Sequence, residues 1–344
     1  MKKTLPVSYP PITSYPSIAT ILSILWPQTE MFLPWFCDRF IQLVSCDDED
    51  IDATGFFYDE KMVKCPLLEY QLINGFDMFN APQALTDFIE FNIEKGYYVS
   101  APLDWFYISE SPYYHERHLE HGLLIYGFDA EKKTVMLSDF FQDGKLVQTT
   151  ASYSEVNKGY SALFSEIPDT EPRDITWMML LKISENRYNF NKELFTRYLQ
   201  DYINGIDSFG IKYQEPRYNT NHHHYGLEYY DVLATKIHSP LNIRPYHILY
   251  DHKLAWRIRI KFLIDNKFLP LQFADAAILR CENLISETLR MRNLAIKYKT
   301  TSRAKEKERL ITLIERMKQM DLEFCRFIQS AMQQKVAAIS LCKP

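Results

Sequence analysis

The amino-acid sequence predicts an α+β N-terminal domain over residues 1–186 followed by an all-α helical bundle over residues 187–344. Two patterns carry this reading. Apolar segments of strand length, bounded by turn residues, recur between residues 97 and 183. From residue 191 onward, apolar side chains return at helical spacing almost to the end of the chain. At 344 residues the chain is also too long for one small core and suits two domains.

The first expected element is a buried helix over Ser17–Leu25, entered through Pro16, whose missing N–H costs nothing at a helix start. An aromatic-rich stretch without clear period follows to about residue 64. Leu85, Phe88 and Ile89 lie at helical spacing within residues 82–95, and Gly96 is suited to end that helix. Strands are then expected at 97–101, 122–128 and 134–139, the last two joined by the polar hairpin-length connection 129–133. A further strand is expected at 145–150. Ser152 and Glu155 have the spacing of a capping box opening a helix. The apolar run Ile175–Ile183 reads as a strand inside a sheet. Beyond a change of texture near 184–190, helices are expected at 191–208, 225–237, 245–265, 270–299 and 302–335. Gly210, Pro216 and Pro240 fall between them, and long helices with short links make a bundle.

Composition excludes several functions. Only 10 glycines are present and no Gly-rich phosphate loop occurs, so nucleotide chemistry of the dinucleotide or P-loop kind has no support. A net charge of −5 gives no long-range attraction to nucleic acid, and the basic run Arg303–Arg309 is interrupted by Glu306 and Glu308. Prolines at 6, 10 and 11 leave no apolar segment after Lys2 and Lys3, so no export signal is expected, and no apolar run is long enough for a membrane span. Six scattered cysteines without a Cys-x-x-Cys pattern then read as reduced thiols, and the expected compartment is the cytoplasm.

The chemically informative stretch runs from His121 through Gly127, Phe128 and Asp129 to Asp139. A histidine at the head of one strand and a carboxylate at the end of its antiparallel neighbour can meet side by side. The carboxylate then fixes the imidazole tautomer and leaves the second nitrogen to act as a base. The plainer reading is a structural histidine and a strand-end turn residue.

This order of elements resembles papain-like proteins of the bacterial C39-peptidase type, and within them the family of butirosin biosynthesis protein H. The resemblance rests on His121, Gly127, Phe128, Asp129 and Asp139, with Tyr225-Gly226-Leu227 and Asp251-His252-Lys253 in the helical half. It implies a papain-like N-terminal domain, with His121 as base and Asp139 as its orienting partner. It also implies acyl transfer from a carrier-protein thioester, held on phosphopantetheine, to a small-molecule amine; no other cofactor and no metal follow from it. The family opens its first helix with a cysteine, in a pattern that here aligns Ile18, Ala19 and Leu22 and sets the cysteine position on Thr13. Thr13 or Ser14 is then the nucleophile, or the nucleophile is lost and an amine attacks directly. A catalytically inactive scaffold that binds a carrier protein or peptide is the alternative, and a peptidase or thioesterase the third. No glutamine marks an oxyanion hole.

Other candidates are Cys65, whose thiol precedes Pro66 and the helical-looking 67–70, and the histidines 115, 118 and 121, which either line a cleft rim or hold a metal. His222, His223 and His224 read as a polar loop, because three consecutive side chains cannot converge on one ion. Arg257, Arg259 and Lys261, with His252, form either intrabundle ion pairs or a phosphate groove. Cys37 and Cys46 have no context suggesting reactivity.

Overall fold

The computed structural model describes residues 1–46, 55–57, 65–74, 84–142, 144–165, 177–208, 223–238 and 241–334. The chain divides into two compact units, one made of Met1–Thr29 and Met62–Arg187, the other of Glu30–Lys61 and Tyr188–Pro344. Residues 30–61, which the sequence reading assigns to the N-terminal domain, thus lie in the second unit.

The chain begins with β1 (Lys2–Thr4) and α1 (Pro16–Leu25), then passes into α2 (Thr29–Asp38), β2 (Gln42–Cys46) and β3 (Gly55–Phe57). It returns with β4 (Leu68–Asn74), α3 (Ala84–Glu94), β5 (Tyr98–Asp104), β6 (Glu120–Asp129), β7 (Thr134–Gln142), β8 (Lys145–Ser152), α4 (Tyr153–Ser165) and β9 (Trp177–Ile183). The remainder comprises α5 (Lys192–Asn204), β10 (His223–Tyr225), α6 (Tyr229–Thr235), α7 (Arg244–Asp265), α8 (Ala274–Thr301) and α9 (Ala304–Gln333). Among the described residues no helix is long and apolar enough to cross a membrane.

The first unit is built on an antiparallel sheet of order β4-β9-β5-β6-β7-β8. β6 is long enough to pair β5 along its first half and β1 along its second. Gly127 permits the second pairing: a Cβ there would lie 2.6 Å from Met136 Sδ and 2.9 Å from the Lys3 carbonyl oxygen. Asp129 closes the β6–β7 turn by accepting from Lys132 N at 3.1 Å. These two members of the sequence motif therefore have structural work. α1 starts with Pro16 in its first turn, as the sequence implies, and packs on β6 and β7. The capping box forms: Glu155 N donates to Ser152 Oγ at 3.2 Å, while Ser152 N donates to Glu155 Oε2 at 2.7 Å.

In the second unit β10, β2 and β3 form a small antiparallel sheet beside the helices. Trp256, Phe195 and Phe324 are buried together, with Trp256 edge-on to both rings. The C-terminal end of α2 is held by Arg259, fully buried on α7. Its Nε donates to Cys37 O at 2.8 Å and its Nη2 to Arg39 O at 2.9 Å. A cation at orphan C-terminal carbonyls is favourable, and burial lowers the Arg259 pKa to about 10.

Candidate functional site

The β6–β7 hairpin sets Leu124 opposite Ser138 and Ile125 opposite Leu137, so the head of β6 and the far end of β7 come side by side. There His121 Nδ1 meets Asp139 Oδ2 at 2.7 Å. Asp139 is 2% exposed in its side chain and His121 26%. The other carboxylate oxygen accepts from Phe140 N at 2.8 Å. Burial pushes the Asp139 pKa upward, and the hydrogen bond and charge of His121 oppose that shift. With Asp139 ionised, the shared proton sits on Nδ1 and Nε2 becomes the basic nitrogen.

One face of the imidazole is covered by Trp105, with ring centroids 4.3 Å apart. Trp105 itself packs against Phe141 and Tyr113, with ring centroids 5.4 and 6.0 Å away. A second histidine–carboxylate pair lies at the same end of the sheet: His118 Nδ1 meets Asp104 Oδ2 at 2.6 Å. Neither Asp104 nor Trp105 figures in the sequence reading. Their available signal was the acidic end of a strand followed by the aromatic run Trp105-Phe106-Tyr107.

Thr13 and Ser14 precede Tyr15, the N-cap of α1, and thus stand just before the helix that packs on the two strands bearing His121 and Asp139. The hydrogen bond of His121 runs to Asp139, not to either hydroxyl. Cys65 is buried and is followed by a turn and strand β4, not by the expected helix. The Cys65 thiol therefore does not stand at a helix N-terminus. Cys37 and Cys281 are buried, with thiol pKa values pushed up to about 12 by desolvation. Burial likewise raises the pKa of the Cys325 thiol. Such thiols stay protonated and unreactive. The side chain of Cys46, and Cys342, lie outside the described residues.

The two other clusters do not assemble as sites. His118 and His121 face different carboxylates, and among the described residues no group of three or more His, Cys, Asp or Glu could hold a metal ion. His223 and His224 lie on β10, where His224 approaches Glu228 at 3.5 Å; His222 is outside the described residues. In the helical unit Arg257 forms two 2.6 Å hydrogen bonds to Glu282, and Lys261 one of 2.8 Å to Asp265. Arg259 and His252 are buried on backbone carbonyls. Ion pairing thus accounts for Arg257 and Lys261, and backbone carbonyls for Arg259 and His252.

No family model matches the chain, and no curated protein matches it.

Proposed function

We propose that the first unit is papain-like and that the protein is an acyl-transfer enzyme of secondary metabolism. It would move an acyl or peptidyl group from a carrier-protein thioester to a small-molecule amine. The single observation that carries the proposal is the His121–Asp139 pair: a buried carboxylate holding one imidazole nitrogen, on a ring that remains partly open to solvent. The antiparallel sheet with α1 against β6 and β7 supports the fold reading.

The reaction needs no covalent intermediate. The amine nitrogen attacks the thioester carbonyl while His121 Nε2 takes a proton from that nitrogen, and Asp139 stabilises the imidazolium. The tetrahedral adduct then collapses, the C–S bond breaks, and the imidazolium returns its proton to the departing thiolate. Holding amine and thioester together supplies most of the acceleration. The reaction is assigned to the cytoplasm. The burial that keeps the Cys37, Cys281 and Cys325 thiols protonated favours this route over a cysteine peptidase or thioesterase acting through one of them. It equally supports a second reading, an inactive papain-like scaffold that binds a carrier protein or peptide.

The test is turnover of an acyl-phosphopantetheinyl carrier protein with mixed amines, followed by intact mass for wild type, His121→Ala and Thr13→Ala. Loss of transfer in His121→Ala alone is the expected result; loss in both makes Thr13 the nucleophile. Binding of the carrier without transfer by the wild type overturns the enzymatic reading in favour of the scaffold.

A further inference from the structure

We infer that Asp104 and His118 are positioning residues for His121, acting through Trp105. Their role as such rests on the reading of His121 as the base, whereas the mechanical link stands on geometry.

Asp104 ends β5, whose register sets Leu103 opposite His121 and Asp104 opposite Glu120. Its carboxylate is fully buried. Oδ1 accepts from Phe106 N at 3.1 Å and from Leu119 N at 3.0 Å, while Oδ2 takes His118 Nδ1 at 2.6 Å. Those donors stand at the two ends of one excursion of the chain, residues 105–118. Trp105 N donates to Leu119 O at 2.8 Å, and His115 N to Phe106 O at 3.0 Å. The Phe106 ring stacks on His118 at 4.2 Å and 16°. One carboxylate therefore closes the root of the excursion, and Trp105 is the residue locked inside that root.

The consequence reaches His121. Asp139 holds its Nδ1 but leaves the ring free to swing about that bond; the indole at 4.3 Å restricts the swing from one face. A carboxylate that ties both ends of the loop thus fixes the plane of the His121 ring without touching a substrate. His118 is the accessible member of the clasp, 34% exposed in its side chain, and so the one that can be altered with least risk to folding.

The test is NMR of histidine-labelled full-length protein, with His121 assigned from its absence in His121→Ala. Trp105 should displace the His121 ring resonance by its ring current, and Trp105→Leu shows the undisplaced position. His118→Ala is expected to move the resonance to that position. His118→Asn is expected to retain the displacement, because its amide donates from about the place of Nδ1. An unchanged resonance in folded His118→Ala overturns the inference. The amides of Phe106 and Leu119 in the wild type are expected to exchange slowly, and rapid exchange at both overturns it without any variant. Where transfer is measurable, His118→Ala should lower kcat by about 10- to 100-fold with KM little changed, as small misplacement of a reacting group does. The NMR arms need no substrate, so failure of the transfer proposal leaves them decisive.

Discussion

Lys253 and Asp321 form an ion pair in which neither side chain reaches solvent. Asp321 Oδ2 also accepts from Tyr202 Oη at 2.6 Å and Tyr230 Oη at 3.1 Å. Lys253 Nζ lies 3.0 Å from His252 Nδ1, and His252 Nε2 lies 2.8 Å from Ile41 O. Burial and the neighbouring cations hold the His252 pKa well below its usual value. The ring is therefore neutral, donating from Nε2 and accepting at Nδ1. Removing one charge strands the other in a dry interior. Asp321→Ala and Lys253→Met should each cost about 3–5 kcal/mol in urea unfolding. The double variant Lys253→Met with Asp321→Leu should cost clearly less than the two added together, and simple additivity would count against a coupled pair.

Gly226 gives a sterically sharp prediction. It has φ +56°, and a Cβ there would lie 2.0 Å from the Tyr202 carbonyl oxygen, which α5 cannot withdraw cheaply. Gly144 has a similar φ of +69° but nothing within 4 Å of its would-be Cβ. Gly144→Ala should therefore cost about 1 kcal/mol, the left-handed penalty alone. Gly226→Ala should cost several times that figure in thermal or urea unfolding, and equal losses would disprove the clash.

Asp38 predicts a pH dependence of stability. It is fully buried; its Oδ2 accepts from Tyr188 Oη at 2.7 Å and Asn191 N at 3.0 Å, yet its pKa is pushed up to about 6, mainly by desolvation. The folded state then binds this proton more tightly than the unfolded state does. Ionised Asp38 costs stability above pH 6, and the cost is relieved as pH falls from about 6 towards 4. A rise of roughly two units corresponds to about 3 kcal/mol. The stability of wild type relative to Asp38→Asn should accordingly increase as the pH is lowered from 7 to 4. A flat difference between the two unfolding curves would refute the assignment.

Asp139→Asn tests the orienting carboxylate. The substitution preserves shape but removes the charge that supports the imidazolium, so transfer should fall by about 100- to 10,000-fold in kcat. Steady-state kinetics with a single carrier and amine would read this, and a loss confined to KM would contradict the proposed role.

Local chemistry made much of the fold legible. Pro16 opening α1, the Ser152–Glu155 cap and the long amphipathic repeats of α7 to α9 are contained in a few neighbouring residues. The hairpin joining His121 to Asp139 was legible for the same reason. Contacts distant in sequence were not. Asp104 becomes visible only when β5 is paired with β6. The short apolar segment after Cys65 fits helix or strand equally, and pairing with β9 decides for strand. α2 carries Pro34 within it, which masks its helical pattern. Arg259 reads from the sequence as part of an intrabundle ion pair or a phosphate groove because its acceptors lie 220 and 222 residues earlier in the chain.

That last separation bears on biosynthesis. α2 and β2 leave the ribosome long before the helix that will neutralise the carbonyls of Cys37 and Arg39. At about 5–20 residues per second, some 200 residues of elongation take roughly 10–40 s. During that interval residues 30–46 must wait while the strands of the first unit are still being made. A gene fragment beginning near residue 188 would lack β2, the strand that joins β10 to β3, and would leave the Arg259 guanidinium with no carbonyls to cap.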